Sequence, residues 1–155
     1  MPDANAPDEV LRAPHVLEYT YTRSVGPVIG AFLTGLRQGR ILGVTGDDGR
    51  VVVPPAEYDP VTARPSGELV EVGPGGTVST WAWETEPTAD QPLSRPFAWA
   101  LVLLDGATTG LLHVVDAGSP EAMASGMRVR PRFRPEGERR GHVLDIECFV
   151  PEEAP

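Results

Sequence analysis

Seventeen glycines and seventeen prolines run through a chain of 155 residues, and they divide it into pieces too short for a helical bundle. Short strands joined by tight turns are the architecture that tolerates this spacing, so the chain reads as mainly β. With 41% hydrophobic residues it can still bury the core of one ordinary domain. Every one of the 13 basic residues is arginine, and 22 carboxylates bring the formal net charge to -9. Nonspecific nucleic-acid binding is disfavoured, because phosphates would meet a chain of their own sign. The single cysteine, Cys148, excludes an internal disulfide framework and a cysteine-based zinc cage, and it suits a reducing compartment. No run approaches the roughly 20 apolar residues that cross a bilayer, and Met1-Pro2-Asp3-Ala4-Asn5 lacks the basic-then-apolar pattern of a secretory signal. The expectation is a cytoplasmic protein that does not engage membranes.

Residues 1–15 and 151–155 are polar and carry too little apolar surface to offset their ordering entropy, so both are expected to be loose tails. A helix is predicted over 26–38. Pro27 fits its first turn, Ile29, Phe32, Leu33 and Leu36 recur at helical spacing, and Gly39 suits the terminating position. Such a helix must lay its apolar stripe on its own barrel or on another protein. Residues 40–53 read as a hairpin turning at Gly46-Asp47-Asp48-Gly49, and 54–68, with four prolines, as a loop. Strands are expected at 69–72, 77–83, 97–104, 108–115, 127–134 and 143–149. The pair 97–104 and 108–115 is apolar at nearly every position and should be buried on both faces. Residues 119–126 have a capping serine, Pro120 in the first turn and Gly126 at the end, which predicts a helix of one to two turns. Counted from 77, this is five strands with a helix between the third and fourth. The order suits a five-stranded OB barrel, with a sandwich as the competing architecture.

No residues assemble into a familiar catalytic motif. His113 sits inside an apolar strand, and Cys148 alternates as a small buried thiol would. The glycines of Gly73-Pro74-Gly75-Gly76 precede a strand, so they offer no helix N-terminus to a phosphate. One segment departs from the overall charge. Residues 128–140 hold six arginines against Glu136 and Glu138. In a strand, Arg128, Arg130, Arg132 and Arg134 would project from one face, fit to meet coenzyme A phosphates or carboxylates of a partner, or simply to be solvated. Trp81 and Trp83 share a face on which bases could stack, although packing in a core or an interface suits the acidic chain better.

The run Phe32-Leu33-Thr34-Gly35-Leu36-Arg37-Gln38-Gly39-Arg40-Ile41-Leu42 resembles the helix ending of the OB-fold acyl-CoA-associated proteins, long described as a domain of unknown function, whose pattern there is F-W-x-G-L-R-x-G-R-L-L. Gly49-Arg50-Val51-Val52-Val53-Pro54-Pro55 is similar to that family's G-R-x-x-x-P-P segment. The resemblance extends over residues 17–150. It implies a helix and rubredoxin-like ribbon over 16–68 and an OB barrel over 69–150. The family's four zinc cysteines fall on Thr45, Asp48, Asp59 and Thr62, so a degenerate, metal-free ribbon is expected.

What the resemblance implies about function is a noncatalytic accessory subunit with no cofactor of its own. Its partner would be a thiolase-fold acyl-CoA enzyme such as the lipid-transfer-protein-type aldolases of actinobacterial steroid side-chain degradation. The partner would carry the catalytic residues, with a coenzyme A thioester as the substrate of the hetero-oligomer, and a MaoC-like enoyl-CoA hydratase is a further implied companion. Phe32, Leu33, Leu36 and Arg37 are the expected partner contacts. Two other classes stay open from the residues alone: a single-stranded nucleic-acid module using Trp81 and Trp83, and a self-sufficient acyl-CoA enzyme using His113.

Overall fold

The computed structural model describes residues 13–152; most of the expected N-terminal tail and the last three residues lie outside them. The expected helix is present as α1, Pro27–Arg37, with proline in its first turn. Its free N-terminal amides are satisfied from a distant loop, where Glu57 Oε1 accepts from Val28 N at 2.9 Å and Ile29 N at 3.1 Å. Gly26 makes this possible. Its φ is +89°, and a Cβ there would overlap the Glu57 carboxylate.

Strands β1 (Ile41–Thr45), β2 (Val51–Val52) and β3 (Leu69–Val72) form a three-stranded antiparallel sheet in the order β2-β1-β3. Sequence groups Leu69–Val72 with the barrel, but β3 pairs along β1, from Ile41 opposite Val72 to Val44 opposite Leu69. Gly43 lets the layers close, since a Cβ there would lie 2.7 Å from Val51 Cγ1. The barrel then consists of β4 (Gly76–Glu84), β5 (Phe97–Leu104), β6 (Gly110–Val115), β7 (Arg128–Phe133) and β8 (Ile146–Pro151). They close in the order β4-β5-β6-β8-β7. The β6–β8 contact is the one parallel pairing among them, with Val115 opposite Phe149. A closed five-stranded barrel with this order is an OB fold, and the sandwich alternative is excluded.

Several expectations change in the folded chain. The 119–126 helix shrinks to a single 3-10 turn, Pro120–Ala122, because the chain becomes extended at Met123, whose side chain is buried in the core. The last strand starts at Ile146, after a 3-10 turn at Val143–Asp145. The β6 strand starts at Gly110, because Thr108 and Thr109 bond instead to the backbone of Val51 and Val53 and so stitch β2 to the barrel. The C-terminal segment is tied in as far as Glu152: Pro151 pairs with Val129, and Glu152 N donates to Arg128 O at 3.0 Å.

The barrel interior and the helical layer share one core. Phe32 and Leu36 from α1, with Ile41, Val53 and Val72, join Val78, Val102, Leu104, Leu111, Val129 and Phe149. Nor are β5 and β6 buried on both faces. Their inward residues are covered, whereas Leu101, Leu103 and Leu112 on the outside are 37%, 40% and 59% exposed. The lower part of that outer face is covered by Leu93, which packs with Phe97, Val114 and Cys148.

Candidate functional site

Of the four expected partner contacts on α1, Phe32 and Leu36 are not available to a partner. They are 4% and 0% exposed and spent on the chain's own core. Leu33 is half-buried and packs against that core, while Arg37 is exposed at the helix end. The helix stripe is thus covered by the barrel.

The four ribbon positions are brought near one another by the β1–β2 hairpin and the following loop, but their oxygens already have partners. Asp59 Oδ1 accepts from Val61 N and Thr62 N, each at 2.8 Å, and the amides of Thr62 and Val61 hold its carboxyl below the usual carboxylate range. Asp48 accepts from the backbone N and the guanidinium of Arg50. The Thr45 hydroxyl accepts from Glu68 N at 2.9 Å, and the Thr62 hydroxyl from Arg64 N at 3.4 Å. No group of three or more metal-ligating side chains forms among the described residues. Two hydroxyls and two internally bonded carboxylates do not fit a tetrahedral zinc site. Added zinc or a chelator should therefore leave the melting temperature of the purified chain unchanged. A zinc-dependent rise of several degrees would contradict this.

Arg128, Arg130 and Arg132 alternate along β7 as expected, but Arg134 lies beyond the strand's end, past a register shift between Arg132 and Phe133, and the charge is largely matched within the chain. Arg128 makes a two-pronged pair with Asp105, 2.7 Å at each prong, and also reaches Glu152 at 3.3 Å. Those partners raise its pKa further above the ordinary arginine value. Arg132 bonds Glu147 at 2.8 Å and Asp116 at 3.2 Å, and Asp116 also pairs with Arg95. Arg134 Nε donates to Leu144 O at 2.7 Å. Arg130 alone of the four has neither a side-chain hydrogen bond nor a carboxylate partner among the described residues.

The two tryptophans of one face are half-buried rather than fully exposed. Trp81 and Trp83 lie across from Ala100 and Ala98 and pack toward the core, where the small alanines leave room for the indoles. Trp99 belongs to the outer cluster and meets Phe97 edge to face at 5.3 Å. His113 is 4% exposed. Its Nε2 lies 3.3 Å from Val143 O, and burial lowers the imidazole's pKa. Cys148 is also buried, and burial pushes its thiol up to about 11, so it is not a ready nucleophile.

The sequence missed a constellation in the loop after β7. Asp145 is 3% exposed, and its carboxylate accepts from the amides of Arg140, Gly141 and His142, the shortest at 2.7 Å. Burial opposes its charge, but the amides of Arg140, His142 and Gly141 prevail and lower its pKa. His142 Nδ1 in turn accepts from Leu144 N at 3.1 Å. The three-residue spacing of His142 and Asp145, the spacing of a capping box, was the available signal. Beside this turn lies an open cavity of about 480 Å³ lined by Arg134, Glu138, Arg140, His142, Leu144 and Asp145, with Gly137 at its edge.

Comparison with known proteins agrees with the topology. Residues 69–134 match a family model described as "ChsH2, C-terminal OB-fold domain". No curated protein matches the chain. A solved structure described as an Ltp2-ChsH2(DUF35) aldolase is similar in fold, with a TM-score of 0.61 at 18% identity, over 84% of this chain and 98% of that one. A DUF35-family protein of unknown function from Sulfolobus solfataricus is similar over 68% of this chain and 78% of its own, with a TM-score of 0.56 at 22% identity. The stretch 69–134, which runs from β3 through the barrel strand β7, thus resembles the ChsH2 C-terminal OB-fold domain family in sequence, and the chain shares the OB fold of these structures.

Proposed function

We propose that this chain is an accessory subunit of a thiolase-fold acyl-CoA enzyme, an aldolase of the lipid-transfer-protein type that acts on steroid side-chain thioesters. The observation that carries this reading is the match of residues 69–134 to the ChsH2 C-terminal OB-fold domain. The fold likeness to the Ltp2-ChsH2(DUF35) aldolase supports it over most of the chain. The surface is consistent with a binding role. Neither His113 nor Cys148 has an exposed reactive atom beside a base, so the chemistry falls to the partner, which supplies the catalytic groups and binds the coenzyme A thioester.

The contact surface on this chain is the outside of β5 and β6. There Leu101 and Leu112 stand opposite one another and Leu103 lies beside Gly110. An exposed apolar patch of this kind, on a strand pair whose inward face is already filled, favours a protein partner. A MaoC-like hydratase bound to the same assembly would place hydration and retro-aldol cleavage side by side.

The test is co-expression of the tagged chain with a lipid-transfer-type thiolase homologue. A fixed-ratio complex with retro-aldol activity that depends on this chain is expected. The double variant Leu101→Glu, Leu112→Glu should keep the fold and weaken association at least tenfold. A wild-type chain that purifies alone, with no effect on the enzyme's activity, would refute the partnership.

A further inference from the structure

We infer that the cavity beside the Val143–Asp145 turn binds the phosphate of an organic phosphate ester. Three cationic or proton-donating side chains line it: Arg134, Arg140 and His142. The side chains of Arg134 and His142 are each held by one contact, Arg140 is held through its backbone, and the outer nitrogens of all three are left free. Arg134 is anchored through Nε, which donates to Leu144 O at 2.7 Å, so its two terminal nitrogens remain for a ligand. The Arg140 backbone is fixed by the Asp145 carboxylate, and its guanidinium has no carboxylate partner among the described residues. His142 Nδ1 accepts from Leu144 N at 3.1 Å, which places the ring proton of the neutral imidazole on Nε2 as a further donor.

Asp145 does not cancel this cluster as a free acid would. Its oxygens are taken up by the amides of Arg140, Gly141 and His142, so it fixes the loop instead of binding the guanidiniums. Glu138 is the single exposed carboxylate in the lining and opposes an anion. Arg128 and Arg132, by contrast, spend their guanidiniums on carboxylates of the chain.

Two guanidiniums and an imidazole N–H match the three non-bridging oxygens of a phosphate monoester better than the two oxygens of a carboxylate. A cavity of about 480 Å³ also exceeds what a bare phosphate fills and leaves room for an organic group at its mouth. The assignment does not depend on any partner protein.

Calorimetric titration of the full chain at low salt tests it, with phenyl phosphate and inorganic phosphate as separate probes. One molecule of phenyl phosphate should bind per chain, more tightly than inorganic phosphate. Arg140→Ala, a change at an exposed side chain, should weaken it about tenfold or more, the loss expected for a charge-assisted fork. Arg134→Lys should weaken it despite keeping the charge, and Glu138→Gln should tighten it. Absence of binding by either probe at about 10 mM, the weak end of useful affinity, would overturn the site. Unchanged affinity in Arg140→Ala would do the same, and equal affinity for the two probes would overturn the ester. The titration uses the isolated chain, so its failure leaves the partnership standing, and loss of co-purification leaves the pocket standing.

Discussion

Phe149→Ala should cost about 3–5 kcal/mol of folding stability, the range for emptying a large aromatic site in a packed core. Phe149 is 0% exposed and belongs to the core shared by helix and barrel. It also sits where the barrel closes: β8 pairs there with β6, Phe149 O accepts from Asp116 N at 2.8 Å, and the ring meets His113 edge to face. The melting temperature should fall by about 10 °C or more for a chain of this size. Leu112→Ala is the control. At 59% exposed it should shift the midpoint by only about 1–2 °C. Equal effects at the two positions would contradict the assignment of inner and outer faces.

Asp145→Ala should be nearly as damaging, at about 3 kcal/mol, because it leaves the amides of Arg140, Gly141 and His142 without their shared acceptor. The effect has a defined pH dependence. The folded-state pKa lies below the unfolded value of about 3.8, so the contribution is fully present above that value. It is lost as the pH falls through the folded value, where the protonated acid exchanges an acceptor for a donor. Chemical denaturation from pH 7 downward should show a constant gap between wild type and variant that starts to narrow only below about pH 3.8, the unfolded value. Parallel curves would mean that the carboxylate does not stabilise the loop through its charge. The same variant should loosen Arg140 and His142 in the neighbouring cavity.

Much of the fold was legible in the chain. Pro27 and Gly39 bracket α1 nearly to the residue, because a proline without an N–H and a glycine with positive φ are local requirements of helix ends. The five barrel strands could be placed from their β-branched and aromatic runs and from the turn residues between them. Boundaries failed where a distant group intervened. Thr108 and Thr109 are good strand residues, yet the edge of β2 claims their hydroxyls. The 119–126 segment has helical punctuation, but burial of Met123 holds it extended.

The candidate sites were less legible. The alternation placed Arg128, Arg130 and Arg132 along one strand, though not Arg134, which follows its end, and nothing in that alternation names Asp105, Asp116, Glu147 or Glu152 as partners. Those carboxylates lie 15 or more residues away for Arg132 and more than 20 for Arg128. The α1 stripe was equally visible, and its coverage by the chain's own barrel was not.

Sequence by itself determined the local conformations and the apolar face of each element, since steric restriction at proline and glycine and the periods of helix and strand act over a few residues. Tertiary structure alone decided what covers each face and which charges are neutralised. Burial and ion pairing depend on groups that meet only when the barrel closes. That is why Phe32 and Leu36 are core residues, Leu101 and Leu112 are surface, and Arg128 is paired with a carboxylate while Arg130, two residues on, has no such partner among the described residues.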